Sequence, residues 1–200
     1  MSEPTQPPAV ASDLEDFAQQ IADQIGSFLL ALQAIARGEA TGGQAISLLL
    51  LEVSQVLLAG GRLGVHEDFA PAEEYEPDAG PDPDVDAMRL RLAVLLESVD
   101  AYVEVFDPYV DPPELVSSLL SDDLTSIATA LAHGLQHYRA GRVTEALWWW
   151  QFSYVSTWGN EASGVLRALQ SIVAHDRLDI EFESEQDQVA AADELLESAN

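Results

Sequence analysis

The sequence predicts an all-α, single-domain helical bundle of six or seven helices, with antiparallel neighbours and no sheet. Three observations predict it. Apolar residues recur at spacings of three and four through several long stretches, as a helix with one buried face requires. Glycine and proline clusters cut those stretches into ordinary helix lengths. All four tryptophans fall between Arg142 and Leu169, where two such stretches meet across a short polar connector, so this segment should supply much of the core.

Residues 1–11 hold three prolines and few large apolar groups, and read as a disordered leader. The helical domain spans 12–178. Ser12 is a competent N-cap with Glu15 three residues on, and Leu14, Phe17, Ile21, Ile25, Phe28, Leu32 and Ile35 form the inward stripe of a first helix. Gly38 stops it. A second helix follows the turn at Thr41 to Gly43 and carries Ala45, Leu48, Leu49, Val56 and Ala59. Leu50, Leu51, Val53, Leu57 and Leu58 widen its apolar surface, which suits a central helix or one that meets a second subunit. Gly60, Gly61 and Gly64 are read as its end.

An acidic Pro-rich loop occupies 65–86. Its Glu67 to Asp86 portion has nine acidic residues, four prolines and no basic residue, a composition that disfavours packed backbone. Phe69 and Tyr75 are its candidate anchors. From Asp86 a helical period resumes through Leu90, Val94, Val99 and Phe106, and Pro108 ends it. Pro113 opens a short helix with Leu115, Val116 and Leu119. Ser121 or Asp122 caps the next, whose buried face is Leu124, Ile127, Leu131, Leu135 and Tyr138, closed by Gly141. The tryptophan helix starts at Arg142. Gly159 and Asn160 form either a tight connection or a weak point in one continuous helix, and Val165, Leu169 and Ile172 supply the stripe beyond. Residues 179–200 form an acidic tail with a candidate short helix from Gln186 to Leu196.

Charge and composition exclude several function classes. Eight basic residues, all arginine, stand against 35 acidic ones, for a formal charge of -27. Such a surface repels phosphate backbones and anionic lipid, so neither nucleic acid nor membrane is an expected partner. The N-terminus lacks the basic and apolar regions of a secretory signal, and a cytoplasmic location is expected. The absence of cysteine removes disulfides, thiolate metal sites and thiol nucleophiles. The apolar run around Ala45 to Gly60 is interrupted by Ser47, Glu52, Ser54 and Gln55, and is read as a core helix.

Chemistry-bearing residues are sparse. His133 and His137 lie four apart, on one side of a helix, and Glu145 or Glu161 folded back from later turns would complete a polar pocket. Two histidines alone are not a metal site. No metal or cofactor is assigned. Asp122 and Asp123 could offer oxygen ligands, but acids at a helix start neutralise its positive end. No GxSxG, HExxH, Walker or dinucleotide fingerprint occurs. Successive helical residues turn by about 100°, so Trp148, Trp149 and Trp150 cannot share one face. Leu147, Trp150, Tyr154 and Trp158 make the inward row, leaving Trp149, beside Ser153 and Ser156, either as an outward aromatic anchor at a candidate interface or as a ring covered by another helix or the acidic loop.

Asp122 to Leu169 also resembles a bacterial family catalogued as domain of unknown function 5063. The likeness rests on Gly134-Leu135, Tyr138, Gly141, Glu145-Ala146, Trp148, Trp150, Phe152-Ser153, Trp158-Gly159 and Leu166-Arg167-Ala168-Leu169. It implies an all-helical cytosolic protein of unestablished role. Gln151, Thr157 and Glu161 depart from the basic or histidine groups of the family pattern, so the resemblance brings no active site with it. The leading expectation is a non-catalytic domain acting through a second copy or another protein. The alternative is a metal-dependent hydrolase or other small-molecule enzyme using His133, His137, Glu145 and Glu161.

Overall fold

The computed structural model describes residues 9–71 and 77–177. Helix α1 (Ala9–Ala36) and helix α2 (Gly42–Gly64) pack against each other, and α3 (Asp86–Leu95) follows the acidic loop. A hairpin of β1 (Ala101–Val105) and β2 (Leu115–Leu119) leads into α4 (Leu120–Arg139). Helix α5 (Val143–Ser153) passes through a π-helical turn at Tyr154–Trp158 and continues helically over 159–177. The described residues thus form five helices plus a two-stranded antiparallel sheet, which corrects the expectation of a sheet-free bundle of six or seven.

Two elements account for that correction. The helix expected from Asp86 to Phe106 ends at Leu95, and Ala101–Val105 is strand. Spacings of three and four through Val99, Tyr102, Val103 and Phe106 fit a helix, but the β-branched valines at 103 and 105 alternate with polar Glu104 and favour a pleated backbone. Leu115–Leu119 is likewise strand, paired in the register Ala101↔Leu119, Val103↔Ser117 and Val105↔Leu115. A lone five-residue strand leaves its backbone groups unpaired, so the two segments are stable as strands only together.

Smaller boundary corrections have similar causes. Helix α1 begins at Ala9, one turn before Ser12. Helix α2 runs through Gly60 and Gly61 instead of ending there. A Cβ at Gly60 would collide with the rings of Tyr154 and Trp158, so this glycine serves close packing inside a helix. Gly38 and Gly141, both at positive φ, do end helices as expected. Asn160 starts no separate helix, because the chain stays helical through Gly159. The candidate helix from Gln186 to Leu196 lies outside the described residues.

The core lies where α1, α2, α4 and α5 meet. Phe28, Leu49, Leu63, Leu124, Leu131, Trp150 and Trp158 are fully buried within it. Helix α2 is long and apolar enough, by length and composition, to cross a bilayer, and is the one such helix among the described residues. Ala45, Leu49, Val53, Val56, Ala59 and Leu63 form its buried face, while Leu51 and Leu58 are exposed on the other side. Trp150 donates its indole N–H to the carbonyl of Leu131 at 3.0 Å, at a point where Gly134 leaves room for the ring.

The acidic loop is strapped down by neutral and basic side chains. Gln151, buried in α5, donates to the carbonyl of Leu63 at 2.9 Å and accepts from the Phe69 N–H at 2.9 Å. Phe69 packs near the Phe17 and His66 rings. Farther along, Arg142 donates to the Asp78 carbonyl at 2.9 Å and Gln136 to that of Pro81 at 3.1 Å. Phe69 is therefore an anchor, as its isolation in an acidic stretch suggested. Tyr75 lies outside the described residues.

Candidate interaction groove

The hairpin is held by its junction with α4. Asp100 precedes β1, and its carboxylate accepts from the Ser121 N–H at 2.7 Å and the Ser121 hydroxyl at 2.8 Å. This buried aspartate performs the N-terminal capping that the sequence assigned to Ser121 or Asp122. The Leu120 N–H also donates to the Asp100 carbonyl at 2.8 Å. The sheet is thereby fixed to the start of a core helix.

A strand's side chains alternate between faces, and directly paired residues share a face. Ala101, Val103 and Val105 of β1 therefore stand with Leu119, Ser117 and Leu115 of β2. That face is turned outward: Val103 is 64% exposed, Val105 47% and Leu115 67%. Phe106 and Tyr109 add exposed aromatic surface at the hairpin tip. Between β1 and the 159–177 helix lies an open groove of about 1030 Å³. Ala168 and Ile172 contribute apolar wall, while Asn160, Ser163, Arg167 and His175 contribute polar groups.

Tyr102 and Glu104 occupy the opposite, half-buried face of β1. The Tyr102 hydroxyl donates to Asp123 at 2.7 Å, and Ser126 donates to Glu161 at 3.0 Å. Gly164 lies beneath them, and a Cβ there would collide with the Glu104 carboxylate. Burial raises the pKa of Glu104, and the nearby Asp123 charge raises it further. Asp123 is raised chiefly by burial, against the opposing Tyr102 hydrogen bond, with Asp122 and Asp100 adding to the rise. Glu161 is also raised by burial, against its bond from Ser126, with Asp123 and Glu104 contributing. The Tyr102 hydroxyl is pushed well up by burial and then by its acidic neighbours. Glu161 Oε2 is buried without a hydrogen-bond partner. Among the described residues, no salt bridge engages Glu104, Asp123 or Glu161.

The residues singled out from sequence fall in different settings. Trp149 is half-buried against α4, donates its indole N–H to the Ala130 carbonyl at 2.8 Å, and stands 4.2 Å from the His133 ring. The side of α5 that carries Trp149 faces α4, so the outward aromatic is Phe152, stacked on Trp148 at 5.7 Å. Ser153 is buried and donates to the Trp149 carbonyl at 2.6 Å. Ser156 is exposed and donates to the Phe152 carbonyl at 2.8 Å.

Of the four members of the expected polar pocket, Glu161 stands apart from the histidine pair. The His133 and His137 rings are 5.2 Å apart, and His133 Nδ1 lies 3.0 Å from Asp82. Glu145 is buried in the first turn of α5. Glu161 instead meets Ser126, which precedes His133 by seven helical residues, or about 10 Å of rise. No group of three or more acidic, histidine or cysteine side chains suited to a metal ion occurs among the described residues. The sequence reading missed the hairpin groove. The alternation of Tyr102 to Val105 was its available signal.

The sequence model of a family described as "Domain of unknown function (DUF5063)" matches residues 12–175. No curated protein matches the chain. Among solved structures, the chain is similar to protein BF1032 from Bacteroides fragilis. The TM-score is 0.61 with 15% identity, over 76% of this chain and 89% of that one. That similarity concerns the fold.

Proposed function

For a chain that belongs to the DUF5063 family, we propose a non-catalytic role in protein interaction, with the outer hairpin face and its groove as the docking surface. One observation carries this reading: Val103, Val105 and Leu115 form an exposed apolar face on a sheet secured to a core helix through Asp100. Exposed apolar area on a rigid element is characteristic of contact surfaces. The occupant is a separate protein. Self-association would bring together two chains of formal charge -27, and the repulsion would oppose it.

The test is recovery of partners on a tagged copy from native cells, comparing the wild type with a Val103→Asp, Leu115→Asp variant. A Phe152→Ser variant serves as the control for exposed apolar surface on α5. Loss of specific partners with the hairpin variant alone is the expected result. An identical recovered set from all three chains would discard the hairpin as a docking surface. Sedimentation of the wild type as a concentration-dependent dimer would replace the separate partner with a second copy.

A further inference from the structure

We propose that the partner enters the groove as an extended segment in which apolar residues alternate with arginine or lysine, adding to β1 as a third strand. The inference rests on the docking reading above and specifies its chemistry. Strand β1 pairs with β2 along one edge, and no strand covers its other edge among the described residues. All five β1 residues line the groove, so an incoming backbone has access to that edge. An open edge offers N–H and C=O groups in register for a further strand. The groove's volume, about 1030 Å³, is at the upper end of the roughly 300–1,000 Å³ range of ligand clefts.

The two faces of β1 dictate the alternation. A paired strand continues each face of the sheet, so every second side chain of the segment would stand beside Val103 and Val105. Apolar residues suit those positions. The intervening side chains would point towards Tyr102 and Glu104, which line the groove, with Asp123 and Glu161 behind them. Three half-buried carboxylates without an internal salt bridge repel one another, and an arriving cation relieves that repulsion while gaining charge-assisted hydrogen bonds. Arg167 also lines the groove, one turn beyond Gly164, and its exposed side chain carries a fixed positive charge. The charge balance around Glu104 remains acidic.

The probe is a labelled hexapeptide alternating valine with arginine, followed by fluorescence anisotropy and by hydrogen exchange of the β1 amides. Three peptides of the same length serve as controls: valine alternating with threonine, valine alternating with glutamate, and three valines followed by three arginines. Saturable binding of the Val-Arg peptide with slowed exchange in β1 is expected. Affinity should fall at least about tenfold for the Val-Thr peptide and for a Glu104→Gln, Asp123→Asn variant. Circular dichroism checks that variant's fold, and Glu104→Gln alone provides a milder second test. Equal binding by the Val-Thr peptide would overturn the cationic requirement while leaving the apolar docking face intact. Equal affinity for the block peptide, or binding without β1 protection, would overturn strand addition and reduce the effect to attraction by net charge. Absence of any binding by the Val-Arg peptide overturns this proposal, whereas partner recovery tests the hairpin reading independently.

Discussion

Replacing Gln151 with alanine should cost about 2–4 kcal/mol. The amide is 6% exposed and joins two segments: Nε2 reaches the Leu63 carbonyl at 2.9 Å, and Oε1 accepts from the Phe69 N–H at 2.9 Å. Each such bond contributes about 1 kcal/mol net, and stranding a buried partner costs about 1–3 kcal/mol. Truncation also leaves a small cavity. For a domain of this size, about 2–4 °C per kcal/mol implies a fall in Tm of roughly 5–15 °C. Gln151→Leu should recover the volume but not the hydrogen bonds, and so lie between alanine and wild type. Thermal unfolding measures the global loss, while hydrogen exchange at Phe69 reports the local tether. If Gln151→Leu matches the wild type in Tm and Phe69 stays protected, the amide does not hold the loop.

The raised pKa values of Glu104, Asp123 and Glu161 have a definite pH consequence. The folded chain retains protons at pH values where the unfolded chain has lost them. Stability should therefore fall as pH rises from the ordinary carboxylate range through the folded pKa values, and the gain should be complete below that range. Glu161→Gln should raise Tm at pH 7 and flatten this profile, and an unchanged profile across denaturation curves at several pH values would contradict it. Trp150→Ala should cost about 3–5 kcal/mol in urea unfolding, since the ring is fully buried and its N–H is bonded to Leu131. Trp149→Ala should cost less, because that ring is half-buried. Gly164→Ala should displace Glu104 and Tyr102 and speed hydrogen exchange in β1, with unaltered exchange counting against tight packing there.

The helical body was legible because its signals are local and redundant. Ile21, Ile25, Phe28 and Leu32 repeat on one face of α1, and Gly38 supplies the positive φ that ends the turn after it. The hairpin was not legible by the same means. Val99, Tyr102, Val103 and Phe106 satisfy a helical spacing, while strand formation depends on pairing with residues 115–119 across a proline-containing loop. The placement of Trp149 required knowing which side of α5 met α4. The wheel separates three adjacent tryptophans but cannot say which direction is inward when two sides are apolar. Gln151 stood out only as a departure from the family pattern, and its partners are 82 and 88 residues away in sequence.

The π turn at Tyr154–Trp158 acts as a phase adjuster for one long rod. Upstream of it, Leu147 and Trp150 point into the helical core; downstream, Ala162, Val165 and Leu169 remain buried while Gly164 and Ala168 line the groove. Were the same five residues wound as ordinary α-helix, everything beyond would rotate by about 100°, because the π turn takes up one extra residue. Gly164 would then swing from beneath Glu104, and the buried row would leave its seat. The spacing between the tryptophan core and the groove is thus counted in single residues. A one-residue deletion within 154–158 should therefore be tolerated better by the groove than the same deletion in the α-helical turns on either side.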